Sequence, residues 1–338
     1  MHRVLCIGSV SKDIFFPTDE GVIIETPEDL KSQTKIAFEL GGKVLCRERA
    51  ESVGGVAANV AQGIARMGLE SSVYSKIGKD EVGQWICRSL QGAGVDTSVL
   101  DVDETVNTDL SAIVVAQGTG DRIIFHNRDA NEKLKIEKQK LQSYEWFYIS
   151  ALNGAWQENL QTIFGAAEQY GVKVALNPGQ HNLKEAPRVI LESLPHVSVL
   201  ILNKDEALEL LLAGGIERQP EHLNDERYLV RVLHRFGPST VALTDGKRGA
   251  WVFNGRELWH GDIYEPHGLI DTTGAGDAFG SGFFSAYVYH YALDRCLRYG
   301  LANAGSVVGY YGASQGLLDQ ATTESYQQYI HATLLENQ

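Results

Sequence analysis

The sequence predicts an α/β protein, with a mostly parallel central sheet covered by helices on both faces and a small group of strands set apart from it. Three observations carry this reading. Apolar runs of strand length recur along the chain. Helix-like stretches separate many of them, and that alternation builds parallel sheets. Two segments, residues 14–52 and 105–127, break the alternation with strand-like sequence where a helix is due.

Taken in order, "RVLCIGSV" starts almost at once as a buried strand. After the first irregular segment comes "GVAANVAQGIARMG", a helix, then the strand "SSVYSKIG" and the helix "DEVGQWICRSLQGAG". The second irregular segment holds two strands, "SAIVVAQ" and "RIIFHN", and "QGTGDR" between them reads as a hairpin turn. From Trp146 to Thr244 the alternation is cleanest. "WFYIS", "VKVALNP", "VSVLILN" and "STVALTDG" are strands, and "QENLQTIFGAAEQYG" and "KDEALELLLAGG" are helices. "GAWVF" adds a further strand. There is no internal repeat, low-complexity tract or Pro/Gly/Ser linker. The expected organisation is therefore one α/β body (1–13, 53–104 and 128–338) with a β-lid (14–52 and 105–127).

Composition limits the function. Of 338 residues, 43% are hydrophobic and 22% charged, which is ordinary for a globular protein. Net charge is −13 with no run of basic residues, so a nucleic-acid partner is not expected. No segment approaches the roughly 20 apolar residues of a membrane span. The N-terminus lacks the pattern of a signal peptide, and the four cysteines are scattered without C-x-x-C. Both features point to a reducing compartment, the cytoplasm.

The most informative stretch is "DTTGAGDAFGSGF", residues 271–283. Its glycines stand where a helix begins. Backbone N–H groups at a helix N-terminus lack partners and carry partial positive charge, and glycines let an anion reach them. Asp277 cannot be there to hold that anion, because like charges repel. It is placed to take a proton from a hydroxyl beside the hole. Anion hole plus base is the arrangement that phosphoryl transfer needs.

"DTTGAGDAF" resembles the C-terminal signature of the PfkB, or ribokinase-like, family of carbohydrate kinases. The likeness extends along the chain. "GGVAANVAQGIARMG" (54–68) resembles the family's N-terminal glycine motif, and "IGKDEVG" (77–83) its G-x-D-x-x-G. "NKDE" (203–206) is similar to its N-x-x-E, and "TDGKRG" (244–249) to its nucleotide turn. The resemblance implies a ribokinase-like three-layer α/β/α sandwich with a small β-strand lid, and ATP-dependent phosphorylation of a hydroxyl.

Carried over residue by residue, the resemblance makes Asp277 the catalytic base and Gly274, Ala275 and Gly276 the anion hole. Asp13 would hold acceptor hydroxyls with Gly54, Gly55 and Asn59. Thr244, Gly246, Lys247 and Gly249 would line the nucleotide site, with Asn177 facing the phosphates and Asn303 near adenine. Asn203 and Glu206 would support Mg²⁺ through water, since Mg²⁺ takes oxygen ligands and keeps several waters. The same two residues also read as a helix N-cap pair. A potassium site is implied at Asp271, with the carbonyls of Thr273 and near Gly312. Lid strands are few, so an unpaired edge is expected to join two chains as a homodimer.

The acceptor stays open. It is a sugar, or alternatively a nucleoside, and a non-catalytic sugar- or nucleotide-binding regulator of the same fold is the rival of a different class. Other motifs fail. There is no G-x-x-x-x-G-K-[ST] and no G-x-G-x-x-G after the first strand. "GASQG" (312–316) matches G-x-S-x-G only by letter, because that motif needs a preceding strand and the residues before it look helical. The ten histidines show no metal-ligand spacing.

Overall fold

A computed structural model describes residues 2–26, 34–46, 48–116 and 122–337. A nine-stranded sheet forms the centre. Six strands run parallel in the spatial order Glu70–Tyr74, Arg3–Ile7, Trp146–Ile149, Lys173–Leu176, Val199–Asn203 and Thr240–Thr244. Three antiparallel strands, Ala250–Phe253, Glu257–Gly261 and Ala332–Asn337, extend one side.

The strand Arg3–Ile7 shows why the inner strands are apolar throughout. Val4 and Cys6 enter one core, packed with the helices Val56–Arg66, Ala275–Val288 and Leu293–Val307. Leu5 and Ile7 enter the other, packed with the helices Trp156–Tyr170, Lys204–Ala213 and Glu226–Arg235. All four are fully buried. Successive side chains leave opposite faces of a strand, so a sheet covered on both faces needs no polar alternation.

A separate four-stranded sheet has the order Arg122–Asn127, Leu110–Ala116, Ser11–Thr18, Ala50–Gly54. Its middle strands run parallel, with Asp13 beside Ser111, and the outer pairings are antiparallel. A two-stranded ribbon, Val22–Glu25 with Thr34–Ala37, belongs to the same region of sequence. The "QGTGDR" turn, apart from Arg122, lies outside the described residues.

Two strands of the large sheet, Glu257–Gly261 and Ala332–Asn337, were not among the expected ones. Each is short and antiparallel, and the second is exposed along much of its length, so neither carries the apolar run of an inner strand.

Candidate active site

Ligands in open α/β sheets bind beyond the carboxyl ends of the strands. Here that edge receives the N-termini of two helices that face each other, Val56–Arg66 and Ala275–Val288. From the first, Asn59 Nδ2 donates to Asp277 Oδ2 on the second at 2.8 Å. Gly274 caps the second helix in the left-handed region, at φ 75°. A side chain there would also run into Ala313, whose Cβ lies 2.3 Å from the position a Cβ would take. Gly276 is different, because a Cβ on it would meet no atom of the protein. Nothing in the packing asks for glycine there, and the empty space lies at the mouth of the helix.

Helix geometry leaves the amides of Ala275, Gly276 and Asp277 without intrahelical acceptors. Ala275 donates to the Thr272 carbonyl at 3.3 Å, while Ala278 closes the first helical bond to Gly274. Among the described residues, the amides of Gly276 and Asp277 thus stay free at this helix start, with Gly274 shaping the turn.

Asp13 comes from the four-stranded sheet. Gly54 makes room for it, since a Cβ at 54 would sit 2.1 Å from Asp13 Oδ2. Gly55 ends that same stretch as the residue before the Val56–Arg66 helix. Ser11 donates to Asp13 at 3.2 Å. Burial raises the Asp13 carboxyl above its ordinary value, and the Ser111 and Ser11 hydroxyls hold it back. Two buried atoms beside it have no partner among the described residues, Asn59 Oδ1 and Ser52 Oγ. Both suit the hydroxyls of a ligand. Ser52 faces Asp13 across paired strands, a neighbour that only strand register discloses.

Burial pushes Asp277 up to about 6; the Asn59 hydrogen bond opposes the rise and the nearby Asp13 charge adds to it. Glu206 is pushed up to about 7, again by burial, opposed by the Asn203 backbone and reinforced by Asp277 and Asp205. Three carboxylates with raised values in one cleft mark it as a candidate functional site.

Asn203 and Glu206 do form the capping box. Asn203 Oδ1 accepts from the Glu206 N–H at 2.8 Å, and Glu206 Oε2 accepts from the Asn203 N–H at 2.9 Å. That leaves the other carboxylate oxygen, Oε1, outside the cap. Oxygen donors of this kind, one carboxylate and one amide, fit a Mg²⁺ that keeps most of its waters.

Beside this helix start is a cavity of about 290 Å³, lined by Asn203, Thr244, Gly246, Lys247, Gly249, Ala275 and Gly276 on one side and Leu301, Ala304 and Gly305 on another. Two expected nucleotide residues lie elsewhere. Asn303 is fully buried: its amide donates to the Ala278 carbonyl and the Ser281 hydroxyl, and its oxygen accepts from Leu318 N–H. It ties two helices together, and its neighbours in the helix line the cavity instead. Asn177 donates to the Ile201 carbonyl at 2.9 Å, lacing two strand ends.

At the expected potassium position the Asp271 carboxylate already has protein partners. Asp271 Oδ1 accepts from Thr273 N–H (2.9 Å), Thr273 Oγ1 (2.7 Å) and Arg122 Nη1 (3.1 Å), and Oδ2 accepts from Gly312 N–H at 3.1 Å. Oδ1 already takes three donors and Oδ2 one of the roughly two it can accept, and a guanidinium already stands beside the carboxylate. Ser314 of "GASQG" lies in an irregular loop with no strand before it, so the letter match has no structural counterpart. Among the described residues, no group of three or more His, Cys, Asp or Glu side chains could hold a metal ion, and no helix is long and apolar enough to cross a membrane.

Comparison with known proteins adds identity to this geometry. Residues 1–320 match the pfkB family carbohydrate kinase description. The chain is 26% identical over 303 residues to an ATP-dependent 6-phosphofructokinase of Thermoanaerobacterium thermosaccharolyticum, covering 86% of this chain and 89% of that one. It is 27% identical over 320 residues to a nucleoside kinase of Methanocaldococcus jannaschii, covering 94% of each. A solved structure of a putative ribokinase II from E. coli, in complex with ATP and Mg²⁺, superposes with a TM-score of 0.77 at 19% identity, covering 97% of this chain and 100% of that one.

Proposed function

The chain belongs to the pfkB family of carbohydrate kinases, phosphotransferases with an alcohol acceptor, and from that premise we propose that it moves the γ-phosphate of ATP to a hydroxyl of a sugar. The single observation that carries the mechanism is the Asn59–Asp277 hydrogen bond, which sets a carboxylate with a raised pKa beside an open helix N-terminus. Asp13, Asn59 and Ser52 hold the acceptor and aim one hydroxyl at Asp277. Asp277 takes its proton as the phosphoryl group arrives. The amides of Gly276 and Asp277 face the charge that develops on the phosphoryl oxygens. Thr244, Gly246, Lys247 and Gly249 hold the nucleotide. Mg²⁺, supported by Asn203 and Glu206, neutralises phosphate charge.

The four-stranded sheet is read as a lid, because it brings Asp13 to the acceptor from outside the large sheet. Two chains pair through this region. Val22 and Phe125 are 66% and 62% exposed on strands with an unpaired edge, an arrangement usually covered by a partner.

The test is ADP release with ATP and Mg²⁺ across a panel of sugars and nucleosides. A sugar giving the highest kcat/KM supports this reading. A nucleoside preferred over every sugar replaces it with the nucleoside kinase reading. With the best acceptor, Asp277→Asn should lower kcat by about 10²–10⁴-fold, as loss of a general base does.

A further inference from the structure

Asp271 has no part in the mechanism above, yet it is only 4% exposed. Its four hydrogen bonds join three separate segments. Thr273 leads into the catalytic helix, Gly312 belongs to the loop that packs under Gly274, and Arg122 arrives from the four-stranded sheet. Arg122 Nη1 also reaches Thr272 Oγ1 at 3.3 Å. A buried carboxylate without a cation is strongly unfavourable, and in this chain the cation is a side chain. A monovalent metal ion on Asp271 would have to share Oδ2 with the Gly312 N–H or displace a donor from Oδ1, and in either place its charge would be repelled by the guanidinium.

We propose that Arg122 is a positioning residue for phosphoryl transfer: its guanidinium occupies the cation place on Asp271, fixes the 271–274 turn, and makes the reaction independent of monovalent cations. The inference rests on the reading of residues 274–277 as the anion hole. The turn sets where the amides of Gly276 and Asp277 point, so its displacement would misplace the donors. The pairing also links the sheet that carries Asp13 to the loop that precedes Asp277. Loss of Arg122 should therefore lower kcat more than it raises KM for ATP.

The experiment compares the full-length protein in potassium chloride and in choline chloride of equal ionic strength. ADP release is measured with the best acceptor, and the thermal unfolding midpoint is measured alongside. The wild type should give the same kcat and midpoint in both salts. Arg122→Gln in choline chloride should lose about ten- to a hundredfold in kcat, the scale of a misplaced reacting group. Recovery of kcat in Arg122→Lys, or in Arg122→Gln on adding potassium, separates a charge at this place from a merely structural contact. Potassium stimulation of the wild type overturns the proposal, as does full activity of Arg122→Gln in choline chloride. If Arg122→Gln does not fold, the wild-type salt comparison and Arg122→Lys decide. If no acceptor is phosphorylated by the wild type, the kinase reading fails, while the midpoint comparison still tests the cation place.

Discussion

Asp277 is raised in pKa mainly by burial. The proposed base must be ionised, so log kcat/KM for the acceptor should rise with unit slope up to about pH 6 and then level. A flat profile between pH 5 and 7 would remove Asp277 from that role. The linkage to stability has the opposite sign to an ordinary surface carboxylate. Folding raises this group from 3.8 to about 6, so its charged form is disfavoured in the native state. The penalty is absent below the unfolded value and complete above the folded one. Each pH unit of that rise corresponds to ~1.4 kcal/mol, and solvent reaching this half-buried group leaves on the order of 1–2 kcal/mol. Asp277→Asn should thus melt higher than wild type at pH 7, with the difference vanishing as the pH falls to 4. An equal or lower midpoint at pH 7 contradicts this. Asp13→Ala should act differently and mainly raise KM, because the role proposed for Asp13 is to hold the acceptor in ground and transition states alike.

The Ala275–Val288 helix shows what a sequence discloses about an element and what it withholds. Its glycine-rich start was legible, since glycine before an apolar run has few other uses. Its glycine interior was not explained by that reading. Gly280 leaves space for the Tyr148 hydroxyl, which would lie 2.4 Å from an added Cβ, and Gly282 lets the Leu293–Val307 helix approach to 2.7 Å from the same construction. Gly280→Ala should destabilise by about 1–3 kcal/mol through overpacking. Tyr148→Phe in the same chain should relieve part of that loss, because the buried hydroxyl has no partner among the described residues. Additive midpoints in the double variant would refute the contact. Asn303 was misplaced, and Arg122 was not singled out, for related reasons. An amide in a small-residue helix is equally compatible with a cavity wall and a helix joint, and an arginine beside a turn reads as solvated until its partner, 149 residues away, is known.

At the scale of the molecule, the parallel part of the sheet was legible because its strands are apolar on both faces. The antiparallel extension was not, since its strands are short and partly exposed. Register was beyond the sequence as well, and with it the place of Ser52 opposite Asp13. The two small sheets present Val22, Ile23, Ile24, Ile124 and Phe125 to solvent. Light scattering at micromolar concentration should give the mass of two chains. Phe125→Lys and Ile23→Lys together should give one, with the large sheet intact by circular dichroism. A wild-type monomer would dismiss the pairing.

The bond from Asn59 to Asp277 closes a loop of 218 residues. Long-range contacts form late, because the entropy of closing the loop must be met before they stabilise anything. The proposed chemistry therefore depends on a strongly non-local contact of the fold, and enzyme activity should report completion of the whole chain rather than of any piece. On dilution from denaturant, helical ellipticity should return first and ADP release last, with an interval in which the protein is structured and inert. Under proteolysis or heat, the same logic runs backwards: activity disappears before the bulk of the structure does.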